Sequence, residues 1–301
     1  MLQKDNLTLF LLLSLFSTSL FAGGWTQPKG QLWLKSSLLY QSTDKRFCHA
    51  QDATSLAFQQ IGCNEAGHST AFDPFIGGKL TATGLFTEAA FGITDRLEAG
   101  LQVPWYRLEF TNFTDPERSP TSGIGDIRLR LKWQTSELPV VSAIELIVKS
   151  PTGEFSADAE VVNVSEGQWD YEIRGEVSRS FWPVPLYVGV GIGYRVRTDN
   201  DSFEQSIGNE FLLRLEAGYQ IVKKLQIKAD VDWLRGARPT LFATKRRVLW
   251  RRELLTASPV LVIEPIRNLQ IETGVRLSIA GEDFPAGSQL QLGFRYRLAV
   301  H

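Results

Sequence analysis

The feature that most constrains this chain is a strict two-residue alternation of apolar and polar side chains, repeated in about twelve segments. Near the C-terminus Leu290, Leu292, Phe294, Tyr296 and Leu298 interleave with Gln289, Gln291, Gly293, Arg295 and Arg297. Before them Leu269, Ile271, Val275, Leu277 and Ile279 interleave with Gln270, Glu272, Gly274, Arg276 and Ser278. Ile127, Leu129, Leu131 and Trp133 do the same with Arg128, Arg130, Lys132 and Gln134. A period of two gives one apolar and one polar face, which is a strand and not a helix. The segments run approximately 31–43, 79–94, 96–112, 125–135, 140–151, 169–181, 186–198, 209–222, 225–236, 249–264, 269–280 and 287–300. Pro259, with no N–H to give, suggests a bulge or an end of regular pairing in the tenth.

The connections alternate in length. Tight ones fall at Thr94-Asp95-Arg96, Ser136 to Pro139, Trp182 to Pro185, Lys223-Lys224 and Pro265 to Asn268. Longer ones, rich in Gly, Asp, Pro and Ser, fall at roughly 44–78, 113–124, 152–168, 199–208, 237–248 and 281–286. This predicts an all-β fold: a transmembrane antiparallel up-and-down β-barrel of about twelve strands, with short periplasmic turns and long extracellular loops. An even strand count leaves both chain ends on the periplasmic side.

The start of the chain fits export. Lys4 precedes an apolar run from Leu7 to Phe16, followed by Phe21-Ala22-Gly23, the pattern of a signal peptide cleaved after Ala22. Residues 1–22 are then the signal and 23–301 a single outer-membrane barrel domain. Beyond Ala22 no stretch approaches the ~18 apolar residues of a membrane helix, so membrane entry requires a closed barrel. Lys and Arg total 32 against 33 Asp and Glu, a balance that does not point to nucleic acid. The expected partners are outer-membrane lipid, the barrel assembly machinery and a small solute.

In such a barrel the apolar face turns to lipid and the polar face inward. The polar rows place Glu88, Glu98, Arg128, Arg130, Lys132, Glu145, Lys149, Glu172, Arg174, Glu176, Arg195, Arg197, Arg214, Glu216, Lys228, Asp230, Asp232, Glu272, Arg276, Arg295 and Arg297 in the lumen. Opposite charges there can pair across neighbouring strands, Arg195 with Glu216 for example. Gly189, Gly191, Gly193, Gly218, Gly274 and Gly293 interrupt the same rows and make room. Two aromatic girdles are expected. Trp133, Phe181, Trp182 and Tyr219 would form one at the turn end, and Tyr40, Trp105, Phe110, Tyr171, Tyr194 and Trp233 the other towards the loops.

Three stretches resemble a known family: Gly24-Trp25-Thr26-Gln27-Pro28-Lys29-Gly30; Phe91-Gly92-Ile93-Thr94-Asp95-Arg96-Leu97 leading to Val103-Pro104; and Gly123-Ile124-Gly125-Asp126-Ile127 followed by Lys132-Trp133. They are similar to outer-membrane proteins of the phenol meta-pathway type. That resemblance implies a barrel of this size, uptake of small hydrophobic or aromatic compounds, and no catalytic residues. The alternatives are a structural or binding barrel with a plugged lumen, and a barrel hydrolase.

The residues offer little for catalysis. His49, His68 and His301 do not lie on a strand wall beside a Ser with a carboxylate behind it. His49, Asp52, Glu65 and His68 lack the compact spacing of a metal site, so no metal or cofactor is expected. Cys48 and Cys63 share one polar segment of an exported chain, where a disulfide is expected and two free thiols or a metal site are the alternatives.

Overall fold

The computed structural model describes residues 23–47, 72–74, 78–111, 119–137, 139–155, 162–200, 205–241, 251–282 and 284–299. The signal segment, Cys48, Cys63 and all three histidines lie outside the described residues. Twelve long strands form the wall. They are β1 (Gln31–Thr43), β2 (Lys79–Thr94), β3 (Leu97–Thr111), β4 (Ile127–Ser136), β5 (Val140–Ser150) and β6 (Asp170–Ser180), then β7 (Leu186–Arg197), β8 (Glu210–Val222), β9 (Leu225–Gly236), β10 (Glu253–Ile266), β11 (Leu269–Glu282) and β12 (Ser288–Ala299). Each pairs antiparallel with its sequence neighbours, and β1 also pairs with β12, from Gln31 opposite Ala299 to Gln41 opposite Gln289. The sheet therefore closes on itself, which satisfies its edge groups internally.

The tight turns join the strands at one end of the barrel and the long connections at the other. In the first turn Thr94 Oγ1 accepts hydrogen bonds from the backbone N–H of Arg96 and Leu97, a side-chain-stabilised reversal. Asn268 takes φ 69° in the last, a conformation Asn tolerates. Pro259 sits inside β10 with its register kept: β10 still pairs with β9 there, while the ladder to β11 skips Ser258 and Pro259. The Pro259 carbonyl comes so near that a Cβ on Gly274 would lie 2.5 Å from it, so glycine is required.

Burial is inverted relative to a soluble protein. Leu129, Leu131, Ile173, Val177, Ile192, Leu215, Leu277 and Phe294 are exposed, while buried polar side chains outnumber buried apolar ones among the described residues. Among the described residues no helix is long and apolar enough to cross a membrane. Trp133, Phe181, Trp182 and Tyr219 are exposed at the turn end, and Tyr40, Trp105, Tyr171 and Tyr194 are exposed on the wall. Trp233 is half-buried and its indole N–H donates to Glu253 at 3.1 Å. Phe110 corrects the expected girdle: it shares the inward phase of Tyr106 and Leu108 and packs against the buried cluster.

The inner face of β1–β3 also departs from the expected polar rows. Leu39, Leu80, Ala82, Phe86, Tyr106 and Leu108 point inward and are buried. They meet Phe47, Val162, Val164, Phe284 and Ala286, which come from the long connections and fold into the loop end. Phe86 and Tyr106 pack edge to face with centroids 5.7 Å apart.

Candidate functional site

Below this apolar filling the lumen is crossed by a belt of charge. Because β4–β8 put alternate residues inward, the register lines opposite charges up. Glu98 faces Lys132, Lys132 faces Glu145, and Glu145 faces Arg174 on four consecutive strands. Higher in the barrel Glu172 faces Arg195, and Arg195 faces Glu210. Arg130 bonds Glu98 at 2.8 Å and Glu145 at 3.1 Å, Lys132 contacts Glu176 at 2.7 Å, and Arg195 bonds Glu172 at 2.8 Å and Glu210 at 2.6 Å. Arg174 bridges Glu172 and Glu145. Further round, Arg214 and Arg276 share Asp232 at 2.9 and 3.2 Å, and Lys35 and Arg295 share Glu272 at 2.6 and 2.7 Å. Removing one member of such a pair leaves the other charge buried and uncompensated, and here each of these cations meets one or more carboxylates.

The belt reaches up to hold a loop. Arg197, whose side chain is fully buried, contacts Glu166 at 2.8 Å, Glu210 at 3.1 Å and Asp170 at 3.2 Å. Lys149 contacts Glu166 at 2.6 Å, Asp126 at 3.0 Å and Asp170 at 3.2 Å, and Arg252 adds Glu210 at 3.0 Å. Asp126 also accepts from the Ser165 hydroxyl and, at 3.0 Å, from the Glu166 N–H. The connection at 162–168 is thereby pinned inside the wall. Burial pushes the Glu166 carboxyl up, but Arg197 and Lys149 outweigh it and hold it below the usual carboxylate range.

The turn end is narrowed by residues 23–30, which precede β1. Gly24 N–H donates to Ser178 Oγ at 3.0 Å, Gln27 N–H to Glu98 Oε2 at 2.8 Å, and Lys29 N–H to Asp95 Oδ1 at 3.0 Å. Lys132 Nζ donates to the Gly23 carbonyl. Trp25 packs edge to face on the inward Tyr187, 5.9 Å between centroids. Residues 23–30 thus run from β1 across β2–β4 to β6 and β7. Gly92 allows it: a Cβ there would lie 2.1 Å from the Pro28 carbonyl.

Between the two fillings lies a cavity of about 110 Å³. Its charged lining is Arg128, Arg130, Lys149, Arg174, Arg195, Arg214 and Arg276 against Glu145, Asp170, Glu172 and Asp232, and its apolar lining includes Leu212, Leu234, Leu254 and Phe284. Of the residues singled out from the sequence, most are drawn into this belt. Glu88 is buried and accepts from Gln102 at 2.8 Å. Glu216, Lys228 and Asp230 lie together on the inner rows of β8 and β9, near Tyr187. Arg297 is set apart: it is exposed at the turn end of β12.

Arg195 and Glu216 are not partners, because the hairpin register places Arg195 opposite Glu210 and Glu216 opposite Gly189. Lys35, Asp126, Asp170 and Glu210 were missed, although Asp170 and Glu210 keep phase with Glu172 and Arg214 and so carried the signal. Glu166 sits in a connection, where no period operates, and Arg252 lies just before β10 in phase with its inward Leu254 and Thr256. Among the described residues no group of three or more His, Cys, Asp or Glu is disposed to hold a metal.

This arrangement has relatives. The structure matches the crystal structure of an outer-membrane channel from Pseudomonas putida F1 with a TM-score of 0.72 at 15% identity, over 93% of this chain and 100% of that one. The KdgM porin gives 0.48 at 8% identity, over 87% and 98%, and the toluene transporter TbuX of Ralstonia pickettii gives 0.43 at 11%, over 91% and 90%. At 15% identity the first of these likenesses is one of fold, that of an outer-membrane barrel. No curated protein matches the chain. The family described as "Putative MetA-pathway of phenol degradation" matches residues 68–294. That span takes in ten of the twelve wall strands whole and the first seven residues of β12, and the chain belongs to this family.

Proposed function

We propose that the protein is exported, loses residues 1–22, and serves in the outer membrane as an uptake channel for small hydrophobic or aromatic molecules. The long connections then face outward, and the tight turns and both chain ends face the periplasm. The observation that carries this reading is the lumenal cavity, which is walled partly by Leu212, Leu234, Leu254 and Phe284 and lies between two internal fillings. A wide water-filled pore would carry neither. The family's connection with phenol degradation supports an aromatic solute. The exposed apolar wall suits lipid, and the reading assigns the protein no catalysis.

The same fillings favour a second reading, a binding barrel with a filled lumen. Planar-bilayer conductance and uptake of small aromatics by cells lacking other porins separate the two. Wild type should take up the aromatics, and the double variant Arg195→Ala with Glu210→Ala should leak ions more readily. Silence of both proteins in both assays would overturn uptake.

A further inference from the structure

Resting on the uptake reading, we propose that the solute held in the central cavity is an amphipathic monoanion, an aromatic or short aliphatic carboxylate. Its head group pairs with Arg128 and its apolar body lies on the opposite wall. The chain has a formal net charge of −1, yet seven cationic side chains line this cavity against four carboxylates. Most of those cations are spoken for. Arg130 has Glu98 and Glu145, Arg195 has Glu172 and Glu210, and Arg214 has Asp232.

Arg128 differs. Its cross-strand neighbours are Gln102 and Lys149, neither of them a carboxylate, and it makes no ion pair among the described residues. The nearest acid on its own inner row, Asp126, is taken up by Lys149, Ser165 and the Glu166 N–H. Arg128 is half-buried and lies close enough to Tyr106 to bear on its hydroxyl, so it stands where the charged belt meets the apolar filling.

A guanidinium in a confined, weakly hydrated site is costly without a counter-ion, and its planar fork matches a carboxylate. Opposite it, Leu212, Leu234 and Leu254 stand in register across β8, β9 and β10 and extend an apolar strip towards Phe284. A neutral aromatic would cover the strip and leave Arg128 unmatched. A strongly hydrophilic anion would match Arg128 and leave the strip against polar groups. One apolar body with one carboxylate satisfies both.

The test is protein-dependent flux of benzoate and of its neutral isostere benzamide into proteoliposomes at neutral pH, with empty vesicles subtracted. Wild type should carry benzoate faster. Arg128→Gln should slow benzoate about tenfold and benzamide far less, and Arg128→Lys should restore part of the benzoate loss. Equal slowing of both probes, or none of benzoate, would overturn the proposal. Benzamide carried in preference to benzoate by wild type would also overturn it while uptake stands. If wild type carries neither probe, uptake itself fails. Should the Gln variant not fold, as read from its mobility on gels before and after boiling, the preference of wild type between the probes decides.

Discussion

Two sectors of one wall obey the same two-residue period and fill the lumen in opposite ways. On β4–β8 the inner row is ionic, and Arg130, Glu145, Glu172, Arg195 and Glu210 meet one another across the strands. On β1–β3 the inner row is largely apolar, and Leu39, Leu80, Phe86, Tyr106 and Leu108 meet Phe47, Val162, Val164 and Phe284 from the connections. The period tells which residues share a face. What the face meets depends on the chain that folds into the barrel: Val162 and Val164 of one connection join the apolar sector, while Glu166 of the same connection is held by Lys149 and Arg197 of the ionic one.

If the ionic sector is held by its pairs, Arg197→Ala should have the largest effect. It would leave Glu166, Asp170 and Glu210 buried together, at a cost of roughly 3–5 kcal/mol. Urea unfolding in detergent measures this, and a loss under about 1 kcal/mol would mean that water already screens the belt. In the apolar sector Leu108→Ala should cost about 2–4 kcal/mol through the cavity it leaves. A loss as small as that of a surface change would show that the loop-end filling is not packed.

Outside both sectors, Arg96 and Glu137 form a 2.7 Å pair at the turn end that is more than half exposed. Arg96→Ala should cost about 0.2–1 kcal/mol in the same assay, and a larger loss would break the contrast between buried and exposed pairs. The smallest expected effect is that of mild acid. Glu166 titrates below its unfolded value, so its contribution is fully present above about pH 4.3 and is lost only as pH falls through the lowered folded value. Protection of the 162–168 amides from hydrogen exchange, taken relative to the intrinsic rate at each pH, should therefore be unchanged between about pH 7 and pH 5. Release of the loop within that range would refute the pinning by Arg197 and Lys149.

The comparison also marks where the sequence could be read. The strands were legible because lipid on one side and charge on the other stamp a period of two on β4, β11 and β12. Inward charges were legible for the same reason, and Asp170 and Glu210 could have been added from phase alone. Phe110 was misplaced because the apolar row of β3 switches sides near the loops: Tyr106, Leu108 and Phe110 turn inward while Arg107, Glu109 and Thr111 turn outward, so the rule that apolar faces lipid fails there. The Arg195–Glu216 pairing failed because adjacency of strands does not supply register, which the length of the connection between them sets. Nothing periodic announces that Glu166 turns inward or that Gly23–Gly30 crosses the turn end. Those placements depend on partners far along the chain, such as Ser178 and Lys132.

The pairing of β1 with β12 has a consequence for the order in which this structure can form. Gln289 donates to Gln41 across that seam at 3.0 Å, between residues 248 positions apart. Contacts of such separation carry the greatest loop-closure entropy and close last. The seam is the final stitch, and it cannot be drawn until the last strand has been made. Whatever occupies the interior must be gathered in as the wall curls around it. The docked connection, the N-terminal strap and the desolvated ion pairs are thus enclosed during closure, and assembly of the wall and assembly of its contents become one cooperative event.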